Sequence, residues 1–318
     1  MLSLGTLILA ATTVPLPAAR EVRVVMGTAA EVSVTGLADP GPALNAAFAA
    51  LDRVDRQMSL WKPESELSRL NANGSGQASP DLWAVLRLAL EVARDSGGAF
   101  DPTVEPLVRA AGHLGEPPRS LTPQGQAALL AGVGHAHLHL EESGRVSLDP
   151  GTRLDLGGIA KGYAVDLALA ALRQAGANSG LVDLGRSSLA AFGAPLSVTV
   201  RDPERESGRA WASFELGESA LSTSGGDQRP GHILDPRSGR PASGVLAATV
   251  VAKSAMEADA LSTAVFVLGV EEGLALLERR RAAGLLLVRE EGRPVLRVTR
   301  DFARRHRLRP APQVLVKP

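Results

Sequence analysis

The sequence contains no cysteine in its 318 residues. That excludes disulfides, thiolate metal sites, a cysteine nucleophile and a lipid anchor on an N-terminal cysteine. Aromatic residues are scarce at 3%, so the core must rest on Leu, Val and Ala. Net charge is absent too. Lys plus Arg (34) equals Asp plus Glu (34), which gives no argument for a nucleic-acid or membrane-surface partner, and no nucleic acid is expected. No internal repeat, low-complexity tract or Pro/Ser linker divides the chain, so one catalytic-sized domain is expected rather than two independent ones.

What is there begins with an apolar, charge-free stretch, Met1 to Ala19, ending in Pro-Ala-Ala. It is short for a membrane span and lacks a basic start, and reads as a secretory leader, as the product of a slightly misplaced start codon, or as a simple N-terminal strand. A periplasmic or extracytoplasmic soluble protein is the expectation, with a cytoplasmic one as the alternative. The main domain then covers 20–305, and the Arg- and Pro-rich 306–318 is expected to be a solvated tail.

Within the domain, Glu21–Val34 alternates with the period of a strand, broken at Gly27. Apolar residues recur at helical spacing in Gly41–Arg56, Asp81–Asp95, Gly162–Gln174, Ala255–Leu268 and Glu271–Ala283. Strands are predicted at Leu181–Leu184, Leu196–Arg201 and Ala247–Ala252, with a closing hairpin of Gly284–Arg289 and Val295–Thr299. Helices and strands interleave without a strict β-α-β rhythm. The expected fold is therefore α+β with mixed or antiparallel sheets and packed helices, and the length allows two lobes sharing a cleft.

Four segments carry more Gly, Asp and small polar residues than packing needs. Gly97–Pro106 (GGAFDPTVEP) ends a helix in a tight turn whose amides suit an anion or a ring edge. Leu154–Asp166 (LDLGGIAKGYAVD) runs a strand through Gly157-Gly158 into a helix carrying Lys161, a phosphate-compatible turn that matches neither a P-loop nor the dinucleotide fingerprint. Leu221–Pro241 holds Ser222, Thr223, Ser224 and His232, a candidate general base or an ordinary surface histidine. Ser254–Gly269 places Asp259 and Thr263 four apart on one helix face beside Ser262, oxygen donors suited to Mg²⁺ or simply a polar stripe meeting water. His135, His137 and His139 alternate along an expected strand; that face is read as solvated rather than as a zinc site.

Taken together and in this order, these segments resemble the ApbE family of flavin transferases. The resemblance rests on Ala99–Thr103, Asp155–Gly162, Gly231–Pro236, and Ala258–Ala264 with Val267–Gly269. Met26-Gly27-Thr28 and the stretch from Met58-Ser59-Leu60-Trp61 to Asn71 add to it, and it spans about Val25 to Leu277. It implies transfer of FMN from FAD to a Thr or Ser hydroxyl of another protein, with Mg²⁺ and with AMP released. FAD is the substrate and no heme is expected. By resemblance, Met26, Trp61, Ala99, Phe100, Asp101, Asp155, Lys161 and His232 line the FAD site. Asp259 and Thr263, the Gly158 carbonyl and Ser262 are the implied Mg²⁺ donors, and His232 or Asp259 accepts the proton of the incoming hydroxyl. The implied acceptor is a flavin-carrying protein such as a membrane redox subunit.

The chain departs from the family pattern in three places. Gly226–Pro230 is shorter than the usual stretch before the histidine, Gly185-Arg186-Ser187 stands where Gly-Gly-acid is usual, and Ala110–Gly115 (AAGHLG) replaces a Trp-Gly-Phe-Gly stretch. Two other readings share these residues: an FAD pyrophosphatase, in which water attacks, and a flavin-binding protein without turnover.

Overall fold

The computed structural model describes residues 9–12, 19–201, 210–225 and 231–318. The leader proposed for 1–19 and the shortened stretch 226–230 therefore lie almost wholly outside the described residues.

A nine-stranded sheet forms the frame. Its spatial order is Leu315–Lys317, Arg293–Val298, Ala283–Glu290, Ala247–Ala252, Ser219–Gly225, Ser188–Phe192, Ser179–Leu184, Thr28–Thr35 and Ala19–Val25. Every neighbouring pair is antiparallel except the outermost, Arg293–Val298 with Leu315–Lys317. Both faces are covered. The helices Gly41–Met58, Ala160–Gln174 and Ala255–Leu268 bury Phe48, Leu51, Ala164, Val165, Leu261 and Val265 with Val32, Val182, Val250 and Leu286 of the sheet. On the other face, residues one position along the same strands (Leu181, Leu189, Val251, Leu285, Leu287) form a second core. There they meet Val198, Val200, Trp211 and Phe214 of a four-stranded sheet. Successive strand side chains point to opposite faces, so a strand covered on both sides must be apolar throughout. Ala247–Ala252 is buried at every position, as this requires.

Local chemistry sets the helix ends. The Ser79 hydroxyl accepts from the Leu82 amide at 3.3 Å, and Pro80 opens the helix Pro80–Asp95, where a missing N–H costs nothing. Glu66 of the helix Glu66–Asn73 in turn accepts from the Ser79 amide (2.6 Å) and hydroxyl (2.7 Å), tying the two helix ends together. The helices Glu105–Ala110 and Pro123–Leu130 and a small sheet of Ser75–Gln77, Arg145–Leu148 and Leu138–Leu140 add to these elements, and Leu67, Leu82, Leu86, Leu138 and Val146 join the same core as the helix-covered face of the large sheet.

Two expectations are corrected. The end of the chain is docked: Arg309–Pro310 pairs with Ala210–Leu216, Leu315–Lys317 joins the large sheet, and Val314 is buried. Its Arg and Pro content suggested solvent, but the backbone pairs at two sheet edges while the charged side chains stay outside. The three histidines do not share a strand face either. His135–His137 is a 3-10 turn and only Leu138–Leu140 is strand. His137 and His139 each lie against one oxygen of Asp149, at 3.0 and 2.8 Å, and His135 lies against Asp101. Among the described residues no His/Cys/Asp/Glu cluster is arranged for a metal ion, and no helix is long and apolar enough to cross a membrane.

Candidate functional site

The turn that carries Asp155 is pinned from below. Asn71 donates to the Leu154 carbonyl at 2.9 Å and accepts from the Leu154 amide at 2.7 Å, and the Asp155 amide donates to the Pro102 carbonyl at 2.8 Å. The motif segments 99–103 and 155–162 are thereby joined. The Asp155 carboxylate accepts from the Gly157 amide at 2.7 Å. Burial pushes its carboxyl above the ordinary range and the charge of Glu105 adds to the rise, against the lowering effect of the Gly157 hydrogen bond. Gly158 follows, and here the backbone must come close. A Cβ on Gly158 would sit 3.1 Å from the Thr263 hydroxyl and 3.3 Å from the Phe100 ring.

Helix Ala160–Gln174 then crosses the start of helix Ala255–Leu268 almost in contact. A Cβ on Gly162 would lie 2.1 Å from the Ala255 carbonyl oxygen. The approach lets the Gly162 amide donate to Asp259 at 2.9 Å, while Asp166, one turn on, accepts from the Ala255 and Met256 amides at 2.7 and 2.9 Å. Burial raises the Asp166 carboxyl to about 6, and the nearby Asp259 charge adds to this against the two backbone bonds. The other Asp259 oxygen lies 2.9 Å from the Ser222 hydroxyl and 3.2 Å from that of Ser188. Asp259 is only 4% exposed, and among the described residues it enters no ion pair. A buried carboxylate met only by neutral donors is costly unless a cation joins it.

Above this floor the hairpin tips of the large sheet form one wall. Met26 (φ 51°) with Gly27 (φ 71°), and Gly185 (φ 65°) with Arg186 (φ 56°), make tight turns with two successive left-handed residues. A methionine in that region costs roughly 1–2 kcal/mol of backbone strain. Lys161 points to the same wall and donates to the Ser187 hydroxyl at 2.6 Å, entering no ion pair among the described residues. The lining also includes Trp61, 65% exposed, whose ring lies 3.0 Å from where a Cβ on Gly115 would be.

One cleft of about 850 Å³ results, toward the top of the usual range of about 300–1,000 Å³ for small-ligand sites. Met26, Trp61, Ala99, Phe100, Asp101, Asp155, Gly158, Lys161, His232, Asp259 and Thr263 all line it. Ser262 does not. It sits three residues from Asp259 rather than four, is fully buried, donates to the Asp259 carbonyl at 2.9 Å and lies 2.8 Å from the Ser224 hydroxyl. Asp101 reaches the cleft in part only. Its carboxylate accepts from the Thr103 amide and hydroxyl (2.9 and 2.6 Å) and the His135 amide (2.7 Å), so it holds the turn together. Sequence reasoning missed Asp166, Ser188 and His113. Asp166 lies one helical turn from Gly162 and was legible by spacing; Ser188 carried no local signal.

A cleft between sheet tips and helices, lined by oxygen donors and by an ammonium that enters no ion pair among the described residues, defines an α+β protein whose site suits an anionic, ring-bearing ligand. The structure is similar to that of the Pseudomonas stutzeri flavinyl transferase ApbE in its apo form, with TM-score 0.81 and 30% identity over 90% of this chain and 96% of that one. The chain belongs to the ApbE family, whose family model matches residues 26–286. Similar proteins include the FAD:protein FMN transferase of Vibrio cholerae, 32% identical over 259 residues (76% of this chain, 78% of the relative). That of Klebsiella pneumoniae is 32% identical over 289 residues, 83% of each chain.

Proposed function

We propose that this protein transfers FMN from FAD to a Thr or Ser hydroxyl of a flavoprotein acceptor and releases AMP. The observation that carries the reading is the meeting of Lys161, His232, Asp259 and Thr263 in one cleft of a chain in this family. In the reaction the acceptor oxygen bonds to the FMN-side phosphorus, the bond from that phosphorus to the bridging oxygen breaks, and AMP leaves with the bridging oxygen. The hydroxyl proton goes to a base. His232 lines the cleft and is the base proposed here, while the Asp259 oxygens receive the Gly162 amide and face the Ser188 and Ser222 hydroxyls. Lys161 meets the pyrophosphate charge, and the exposed Trp61 offers a flat apolar face to the flavin ring.

Mg²⁺ fits the residues present. The Gly158 carbonyl, the Asp259 carboxylate and the Thr263 hydroxyl are all oxygen donors, and among the described residues no basic side chain is paired with the buried Asp259 carboxylate. When bound, the ion neutralises charge on the pyrophosphate oxygens. Ser262 supports the Asp259 backbone instead of donating to the ion. An extracytoplasmic location rests on the apolar leader and is tested by cell fractionation.

The test is FAD turnover by the purified protein with and without Mg²⁺, and with and without a flavin-carrying domain that bears a candidate Thr. Mg²⁺-dependent AMP release with a mass gain of one FMN on that domain supports the proposal. AMP release unchanged by the acceptor assigns hydrolysis instead, and tight FAD binding without AMP sinks the enzyme reading.

A further inference from the structure

One of the chain's departures from the family pattern contacts the residue that follows another. His113, in the stretch that replaces Trp-Gly-Phe-Gly, lies with Nε2 3.3 Å from the carbonyl oxygen of Gly231, 118 residues away. Gly231 directly follows the shortened stretch and directly precedes His232. The Gly231 carbonyl and the His232 amide belong to the same planar peptide unit, so holding that oxygen fixes the plane on which His232 hangs. Gly231 itself adopts φ 75°, a left-handed conformation that glycine reaches without steric cost.

The loop that presents His113 is well braced. The Arg119 amide donates to the Ala110 carbonyl at 2.8 Å and the His113 amide to the Val108 carbonyl at 3.1 Å. Arg109 bonds the fully buried Glu105 at 2.6 Å and also bonds Glu116, closing the loop across its base. Through Gly115 the same loop backs the Trp61 ring. One rigid loop thus touches both the segment of the proposed base and the aromatic wall, and His113 and His232 line the same cleft.

We infer that His113 is a positioning residue for His232, its Nε2–H donating to the Gly231 carbonyl and holding His232 toward the cleft. The inference rests on the transferase reading for its catalytic consequence, though not for the contact.

The test uses the full chain with His113→Ala, His113→Gln, His232→Ala and the double variant His113→Ala/His232→Ala. The His232 ring ¹H–¹³C resonances, assigned by their loss in His232→Ala, are recorded without flavin. AMP release from FAD with Mg²⁺ and FAD affinity by fluorescence are measured alongside. His113→Ala is expected to shift the His232 resonances and lower kcat about tenfold, with less than about a twofold change in FAD affinity. His113→Gln, which keeps an N–H donor, restores most of the rate. In the His232→Ala background, loss of His113 adds no further decrease. His232 resonances unchanged in both His113 variants, or a loss that multiplies in the double variant, overturns the inference. If the parent protein releases no AMP, the transferase reading falls, while the resonances still decide whether His113 holds His232.

Discussion

The Gly162 amide and the Asp259 carboxylate are 2.9 Å apart although 97 residues separate them, and no side chain fits on Gly162 without parting the two helices. That contact couples the phosphate-facing turn to the carboxylate of the proposed metal site, so a change on one helix is felt on the other.

Gly162→Ala tests the coupling directly. Its Cβ would overlap the Ala255 carbonyl, so the helices must separate. Overpacking of this kind costs about 1–3 kcal/mol. The expected outcome is a lower melting temperature together with a higher Mg²⁺ concentration for half-maximal activity. A variant with parental values for both would show that the contact is incidental.

Asp259→Asn removes the buried charge but keeps an oxygen for the Gly162 amide. Without metal the variant should be as stable as the parent or more so, because an unpaired buried carboxylate is gone. Added Mg²⁺ should raise the melting temperature of the parent and leave Asp259→Asn unmoved, and AMP release should fall at least about a hundredfold. Differential scanning fluorimetry with and without Mg²⁺ reads the first two outcomes.

Trp61 is expected to matter for binding and little for folding. At 65% exposure its loss removes little buried area. A ring stacked on it would lose about 1–3 kcal/mol on truncation, by analogy with bases on aromatic platforms. Trp61→Ala should weaken FAD binding about tenfold or more in a flavin-fluorescence titration, with the thermal midpoint within a few degrees of the parent.

Asp183, which braces the Arg186 turn through a 2.8 Å bond from the Arg186 amide, has its carboxyl raised to about 6. Burial is the main cause and the Glu31 charge adds to it, while the Arg186 amide and charge oppose. A raised carboxyl holds its proton in the folded chain after the unfolded chain has lost it. Stability from this group is therefore full below pH 3.8 and falls as pH rises toward 6, by about 3 kcal/mol at most. Asp183→Asn keeps the acceptor for the Arg186 amide and cannot ionise. It should match the parent near pH 4 and exceed it in urea unfolding near pH 7; equal stability at both would refute the assignment.

Much of the frame was legible because its signals are local. The strands Leu196–Arg201 and Ala247–Ala252 and the helix Ala255–Leu268 fall at the predicted boundaries, since the first alternates apolar with polar residues, the second is small and β-branched throughout, and the third opens on the Ser254 cap. The motif segments were legible for the same reason: Gly, Asp and Lys at fixed short spacing announce a turn that something must approach. The histidines at 135, 137 and 139 misled because alternation is also what a short turn entering a strand looks like. The docked chain end was hidden because its pairing is made by backbone groups, to which Arg and Pro composition is blind.

By itself the sequence determined the main helices and strands of the frame, the absence of any thiol chemistry and the residues that resemble a flavin transferase. Only the tertiary structure decided which of those residues share the cleft: Thr263 on its wall, Ser262 turned into the protein, and the Asp101 carboxylate given over to its own turn. It also brought in Ser188, Asp166 and His113, whose partners lie 71, 89 and 118 residues away. Spacing along a chain reports one face of one element, whereas a site is made where the faces of several elements meet. Which oxygen is free there depends on donors supplied by strands and helices distant in sequence.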